Sequence, residues 1–346
     1  MRTERTIKCC FVGYIVQAIV NNFIPLLFLT FQRSFDIPVG KITVLITVNF
    51  VVQLCVDAVS VLFVDRIGYR ASVVIAHLFA ALGLGLLPLL PSVMDPFAGI
   101  LIAVVLYAVG GGLLEVLVSP IMEACPTKNK EKAMSLLHSF YCWGQVGVVL
   151  LSTLFFASFG TDNWRILSVI WAIIPIANGI AFLGAPIGKL VAEGEKGLSL
   201  SELFGSKLFW VLALMMICAG ASELAVSQWA SFFAEKGLSV SKSVGDLAGP
   251  MAFAVLMGAA RAFYGKFGEH FDTERFMGSC AALCAASYFM ISLIPNAVVN
   301  LIGCGICGLS VGIMWPGTFS KAAASLRGGG TALFSMLALA GDVGCS

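Results

Sequence analysis

The sequence predicts an all-α, polytopic membrane protein built from two helical halves. The first observation behind this prediction is composition: 59% of the 346 residues are hydrophobic and only 12% are charged. A soluble domain carries about 25% charged residues, so this chain lacks the polar side chains for a solvated surface. The second observation is a series of long apolar runs, and the third is a repeat that relates those runs to one another.

Eleven apolar runs have the length of a membrane helix, which needs about 20 residues. They are too long for strands and lack the alternation of polar and apolar residues that strands show. The first run is also too long to be a cleavable signal peptide. We predict helices over residues 9–31, 42–64, 71–91, 96–122, 134–159, 165–187, 207–234, 247–267, 276–294, 297–319 and 330–346.

The Lys and Arg residues of the loops set the orientation. With the N-terminus inside, fifteen of them fall on the inner side and five on the outer side, and Arg261 lies within a helix. We therefore expect a multi-pass protein of the cell membrane with a cytoplasmic N-terminus. The sequence contains no Asn-x-Ser/Thr glycosylation site, which favours a bacterial cytoplasmic membrane.

An internal repeat with an offset of 196 or 197 residues relates the fourth helix to the tenth and the fifth to the eleventh. The matched positions are Gly112 with Gly308, Pro120 with Pro316, and Gly144 with Gly341. The offset predicts a six-helix half over 1–187, a polar cytoplasmic linker over 188–206, and a second half over 207–346 with about five helices. We expect a sequence that is truncated before a twelfth helix. Parallel repeats with a solute path between them are typical of transporters.

Glu115 interrupts an otherwise uncharged run, since Tyr107 is the only other ionisable residue from Pro96 to Met122. A carboxylate at mid-membrane costs about 2.5–3.5 kcal/mol on insertion scales, which favours a functional role. Proton coupling and substrate binding are two such roles. The alternatives are a neutral carboxyl that is hydrogen-bonded for packing, or one that is paired with a buried cation.

Further polar side chains recur at helical spacing in four other spans, which predicts that they face the interior of the bundle. Amides beside aromatic rings suit a polyhydroxylated ligand, although each residue alone fits interhelical packing equally well. The candidate substrate contacts are Gln17, Asn21, Asn22, Gln53, His138, Tyr141, Gln145, Glu223, Gln228 and Trp229. Asp57 and Arg261 are additional intramembrane charges. Arg261 is either a counter-ion for Glu223 or Asp57, or a residue that reaches to the cytoplasmic surface.

The loop after the second helix, "FVDRIGYR", resembles the signature of the major facilitator superfamily. The matching residues are Asp65, Arg66, Gly68 and Arg70, while Val61 stands where the leading glycine of the signature would be. The resemblance implies a charge-relay latch that closes the cytoplasmic side. The alternative is a loop whose charge reflects topology alone.

"GGGLLEVLVSP" followed by "LLHSFYCWG" resembles the fourth and fifth helices of the fucose–proton symporter family. The resemblance places Glu115 at the position of that family's proton-coupling glutamate. The matching neighbours are Pro120, Phe140, Gly144, Asn21 and Asn22. Pro25 stands where the family carries an aspartate, so half of the family's carboxylate pair is absent.

This resemblance implies a monomeric secondary transporter that works by alternating access, with a small polar solute such as a sugar near Trp315. The coupling ion would be H⁺, with Na⁺ as an alternative. The competing hypotheses are a drug or metabolite exporter and a membrane receptor without transport activity. The sequence has no phosphate-binding loop. The pairs Cys280/Cys284 and Cys304/Cys307 resemble metal or redox spacings, but both fall within apolar runs, which favours small packing residues. We therefore expect no enzymatic activity, no cofactor and no metal, and we expect no nucleic-acid partner.

Overall fold

The computed structural model describes residues 2–126, 130–187, 200–267, 271–294, 296–326 and 330–345. In these residues the regular structure is helical and there is no strand. The α-helices are α1 (Arg2–Asn22), α2 (Phe28–Phe35), α3 (Val39–Ile67), α4 (Tyr69–Leu86), α5 (Leu90–Val93), α6 (Pro96–Glu123), α7 (Lys130–Phe159), α8 (Trp164–Leu183), α9 (Leu200–Gly205), α10 (Lys207–Gly237), α11 (Lys242–Asp246), α12 (Ala252–Phe267), α13 (Thr273–Leu293), α14 (Ala297–Val311), α15 (Met314–Ser325) and α16 (Gly330–Cys345).

Ten spans in the described residues are long and apolar enough to cross a membrane. They coincide with the first ten predicted helices, so the predicted all-α membrane class is confirmed. The eleventh prediction corresponds to α16, whose apolar stretch Ser335–Cys345 is shorter than the others. Large apolar side chains are exposed on the outside of the bundle, for example Leu154, Ile180 and Phe289, as expected for a surface in contact with lipid.

Three spans predicted as continuous helices are broken. In the first span a 3-10 helix, Ile24–Leu27, separates α1 from α2, and it contains Pro25, which has no N–H for the helical ladder. In the eighth span a π-helical turn, Leu247–Met251, follows α11 and contains Pro250. In the tenth span the chain leaves α14 at Val311 and enters α15 at Met314.

Equivalent helix pairs pack in the two halves. α6 packs on α3 and α4 as α14 packs on α12 and α13, and α1 packs on α7 as α10 packs on α16. The repeated glycines explain how closely these helices approach. A side-chain carbon at Gly112 would lie 2.9 Å from Cα of Gln53 on α3, and one at Gly308 would meet the backbone of Phe253 on α12.

The two halves meet through α3 with α16, α7 with α12, and the 3-10 helix with α10. The predicted boundary at 188–206 stays a prediction, because residues 188–199 lie outside the described residues. The remainder of that segment holds the short helix α9, whose Leu203 is buried in a cluster with α10 and α16 residues. The space between the halves holds the cavity described next.

Candidate transport site

A cavity of about 70 Å³ lies between the halves. It is lined by helices of both halves, and its walls carry several of the residues selected from the sequence. The structure places these predicted residues at the cavity: Gln17, Asn21, Glu115, His138, Tyr141, Glu223, Arg261 and Trp315.

Glu115 is held on the α6 side of the cavity by a neutral partner. Gln17 Nε2 donates a hydrogen bond of 2.6 Å to Glu115 Oε2. One turn further along α6, the hydroxyls of Ser119 and Tyr14 are 2.8 Å apart. No lysine, arginine or histidine in the described part of the chain forms an ion pair with Glu115.

Glu223 is held on the α10 side by a cation. Arg261 Nη2 lies 3.1 Å from Glu223 Oε2, and both side chains are largely buried. The same guanidinium donates to the Gly312 carbonyl at 3.3 Å and contacts Cys142 Sγ at 3.2 Å. Of the two counter-ion pairings considered from the sequence, the structure shows the pairing with Glu223. The Arg261 side chain is directed into the bundle rather than toward its end.

The amides of α1, α3 and α10 form a hydrogen-bonded cluster centred on Asn21. Asn21 Oδ1 accepts from Gln53 Nε2 at 2.8 Å and from Asn49 Nδ2 at 3.2 Å. Gln228 Nε2 donates to the Asn21 carbonyl at 2.9 Å. Asn22 Nδ2 is used within its own helix, where it donates to the Ala18 carbonyl. Gln53 and Asn22 are absent from the cavity lining, whereas Gln228 lines a smaller cavity that Asn21 also lines.

Aromatic groups complete the walls. The rings of Tyr14 and His138 are 5.2 Å apart, and Trp315 lies in contact with the backbone of α16 at Gly341, where a side chain would clash. Two further predicted contacts lie elsewhere: Gln145 is buried away from the cavity, and Trp229 packs 5.6 Å from Phe28.

Six lining residues were absent from the sequence-based selection. They are Tyr14, Phe50, Gly220, Leu224, Asp342 and Cys345. Asp342 is the most consequential of them, because it adds a carboxyl from α16. Its signal is the same as that of Glu115, a single acid within an apolar run. Among the described residues, no three His, Cys, Asp or Glu side chains are grouped so that they could hold a metal ion.

A buried charge cluster near the predicted outer face was also missed. Asp246 is fully buried and lies 3.2 Å from Lys242 Nζ. Thr153 donates to Asp246 Oδ2 at 3.2 Å, and Ser231 donates to Asp246 Oδ1. Lys242 also donates to the Leu26 carbonyl at 2.7 Å. These contacts connect α7 and the 3-10 helix of one half to α10 and α11 of the other. Lys242 lies between the seventh and eighth predicted helices, on the outer side in the predicted orientation, and no pattern in one chain identifies its partners.

The signature loop lies between α3 and α4. Gly68 has φ of 85°, a backbone conformation that favours glycine. This explains why the motif has a glycine at this position. Arg70 Nη2 donates to the Ala185 carbonyl after α8 at 2.9 Å, so this arginine connects the loop to the sixth span. Asp65 and Arg66 lie in the last turn of α3, and their side chains are outside the described part of the structure.

The fold and the central cavity define a polytopic membrane protein of transporter architecture. The family model of the Major Facilitator Superfamily matches residues 9–345, and the chain belongs to this superfamily. No curated protein sequence matches the chain.

Solved structures of superfamily transporters share the fold. The D-xylose-proton symporter superposes with a TM-score of 0.80 at 14% identity, over 99% of this chain and 88% of that one. The E. coli fucose:proton symporter FucP gives 0.72 at 15% identity, over 99% and 90%. The nucleoside transporter NupG gives 0.74 at 10% identity, over 99% and 89%. At these identities the similarity establishes the fold alone.

Proposed function

We propose that this protein is a secondary active transporter that moves a small polar solute, a sugar, by alternating access coupled to protons. The observation that carries the proposal is Glu115, a carboxyl at a cavity between the halves whose hydrogen-bond partner is the neutral amide of Gln17. A carboxyl held this way keeps both protonation states accessible, because no fixed cation commits it to the charged state.

The Gln17 amide can serve both states of Glu115. Its Nε2 donates to the carboxyl oxygen, while its Oε1 is buried without a partner among the described residues. An amide oxygen accepts and an amide nitrogen donates, whereas a carboxyl gains one donor when it binds a proton. A rotation of either side chain therefore allows a hydrogen bond with or without the proton. Protonation removes a buried charge and so changes the relative free energies of the two transport states.

The lining supports a hydroxylated solute. Gln17, Asn21, Tyr141 and His138 offer hydrogen-bond donors and acceptors, and the indole of Trp315 offers an apolar face. This pairing of polar groups with aromatic rings suits a sugar, whose hydroxyls lie at the ring edge and whose C–H groups lie on its faces. The transporters of similar fold are named for fucose, xylose and nucleosides, which all contain a sugar ring, and this supports the same solute class here.

The test is solute-driven proton uptake in proteoliposomes that contain the purified protein. External pH would be followed on addition of each member of a panel of hexoses, deoxyhexoses, pentoses, nucleosides and cationic drugs. The wild type would be compared with Glu115→Gln and with Glu4→Gln, a matched change at an exposed glutamate that pairs with Lys8. We expect one sugar to raise the external pH for wild type and Glu4→Gln, and to produce no change for Glu115→Gln.

Counterflow exchange of the same sugar separates coupling from binding. Glu115→Gln should retain exchange, because glutamine imitates the protonated carboxyl. Proton uptake in Glu115→Gln equal to that of wild type would refute the role of Glu115. Flux that depends on Na⁺ would show that Na⁺, and not H⁺, is the coupling ion. A response to cationic drugs would support a drug exporter. Absence of flux for every solute would favour a receptor without transport activity.

A further inference from the structure

A buried ion pair of the C-terminal half lies at the predicted outer face. Lys242 and Asp246 are one turn apart on α11, and Lys242 Nζ lies 3.2 Å from Asp246 Oδ2. Ser231 of α10, in the same half, donates to Asp246 Oδ1. Asp246 is fully buried, whereas the Lys242 side chain is 19% exposed. The two charges therefore neutralise each other inside one half.

This ion pair also contacts the N-terminal half. Lys242 Nζ donates to the Leu26 carbonyl of the 3-10 helix at 2.7 Å, and Thr153 of α7 donates to Asp246 Oδ2 at 3.2 Å. Lys242 Nζ also lies 5.6 Å from the ring centroid of Phe156, one turn after Thr153 on α7, a distance at which a cation and an aromatic ring attract each other. In these contacts the N-terminal half supplies neutral groups: a carbonyl, a hydroxyl and a ring.

The same region closes the seam between the first span and α10, from the central cavity to the predicted outer face. Asn21 lines the cavity, and its carbonyl accepts a hydrogen bond of 2.9 Å from Gln228 of α10. Farther along both helices the rings of Phe28 and Trp229 are 5.6 Å apart, and an exposed ion pair between α2 and α10 follows. The 3-10 helix lies between Asn21 and Phe28, so Lys242 holds the middle of this seam.

We propose that Lys242 and Asp246 are the latch of an outer gate, a preformed ion pair that holds the opposite half through the Leu26 carbonyl and the Thr153 hydroxyl. Opening of the gate breaks these two hydrogen bonds and leaves the ion pair intact. Water then replaces the carbonyl and the hydroxyl as partners of the charges. The proposal rests on the alternating access proposed above, and it assigns the groups that control access to the cavity from the predicted outer face.

The placement of both charges in one half makes the latch reversible. Separation of a buried ion pair leaves two uncompensated charges, which is strongly unfavourable. A hydrogen bond to a neutral group costs far less to break, because water takes the place of the lost partner. If Lys242 and Asp246 were on opposite halves, each opening would have to separate them, whereas here they move together on α11.

Hydrogen–deuterium exchange of the full chain in lipid nanodiscs, without solute, measures opening of the gate segments, which are the 3-10 helix, α2 and the C-terminal part of α10. Thr153→Val removes a hydroxyl that is donated across the halves and keeps the shape of the side chain. Ser231→Ala is the matched control, because it removes a hydroxyl from the same carboxylate within one half.

We expect Thr153→Val to raise exchange in the gate segments by roughly tenfold or more, as expected for loss of a hydrogen bond to a charged group. Ser231→Ala should leave this exchange near the wild-type rate, since Ser231 and Asp246 stay together when the gate opens. Exchange in α4 and α8, which pack on each other within the N-terminal half, should not change in either variant.

The outcomes distinguish the latch from the proposed function. Equal exchange of Thr153→Val and Ser231→Ala in the gate segments, or an increase that spreads to α4 and α8, overturns the latch even if sugar-driven proton uptake is found. A difference confined to the gate segments supports the latch even if no solute is transported. Should Thr153→Val fail to fold, Lys242→Met takes its place in the same comparison, because it removes the bond to the Leu26 carbonyl.

Discussion

Glu115 and Glu223 face the same cavity from opposite halves of the bundle, but their partners differ in charge. Glu115 accepts a hydrogen bond from the Gln17 amide at 2.6 Å, and Glu223 lies 3.1 Å from the Arg261 guanidinium. A buried carboxylate beside a guanidinium is fixed in its charged state, because loss of either charge leaves the other uncompensated. A carboxyl beside an amide has no such constraint.

The backbone packing of the halves is equivalent, so the difference in charge is not a consequence of the fold. Gly112 and Gly308 bring corresponding helices together, whereas Gly144 faces α1 and Gly341 faces the ring of Trp315. The internal repeat therefore accounts for the two similar helical scaffolds, and the charged side chains at the cavity are specific to each half. At these two glutamates, the N-terminal half adds a carboxyl with a neutral partner, and the C-terminal half adds a fixed ion pair.

The largest expected effect comes from breaking the ion pair. Arg261→Met should lower the free energy of unfolding by about 3–5 kcal/mol at neutral pH, because it leaves the Glu223 carboxylate buried without a counter-ion. The loss should become smaller as the pH falls, since protonated Glu223 carries no charge. Unfolding in detergent at several pH values measures both effects.

The double variant Arg261→Met with Glu223→Leu is the control for this prediction. It removes both charges, so stability should return to near the wild-type value. A double variant as unstable as Arg261→Met would show that packing of the Arg261 side chain, which also bonds the Gly312 carbonyl, outweighs its charge.

Glu115→Gln should have a much smaller effect on stability. The change replaces a carboxyl by an amide next to the Gln17 amide, and two amides can bond each other. We expect a change in unfolding free energy within about 1 kcal/mol, measured in the same assay. A loss as large as that of Arg261→Met would mean that Glu115 has a charged partner and would abolish the contrast between the halves.

The sequence predicted the ten long spans because apolar length is a local property. The breaks at Ile24–Leu27 and Leu247–Met251 contain prolines that were visible in the sequence, but membrane helices also tolerate proline, as α6 does at Pro120 and α8 at Pro175. The junction between α14 and α15 falls at Gly312 and Ile313, and Pro316 lacks the N–H that would bond the Gly312 carbonyl. Helix existence could thus be predicted, and helix continuity could not.

The site could be predicted in part. Glu115 was identifiable because it is the only carboxylate in its span, and Asp342 has the same property at the end of the last span. Sequence alone narrowed the partner of Arg261 to two acids, and the tertiary contact decided between them. The clustering of Asn21, Asn49 and Gln53 likewise depends on how α1 meets α3.

An intermediate effect is expected at the repeated glycines. Gly308→Ala places a carbon against the Phe253 backbone, and Gly112→Ala places one 2.9 Å from Cα of Gln53. Overpacking of this kind costs about 1–3 kcal/mol, and Gly308→Ala should cost more because its contact is closer. Gly85→Ala is the control, since nothing lies within 4 Å of that position and alanine favours a helix. Equal stability of all three variants would refute the close approach in both halves.

The smallest effect is expected where the halves meet at the surface. Arg33 lies 3.1 Å from Glu235 across the halves, with the arginine side chain 72% exposed. Solvent and salt screen such a pair, so Arg33→Gln should change the unfolding free energy by less than about 1 kcal/mol, and less still at high salt.

Lys242→Met, in the buried cluster with Asp246, should cost more because it leaves a carboxylate without its cation. A double-mutant cycle of Arg33→Gln with Glu235→Gln measures the exposed coupling directly. A coupling energy above that of the Lys242 and Asp246 pair would mean that the exposed ion pair, rather than the buried cluster, holds the halves together at the predicted outer face.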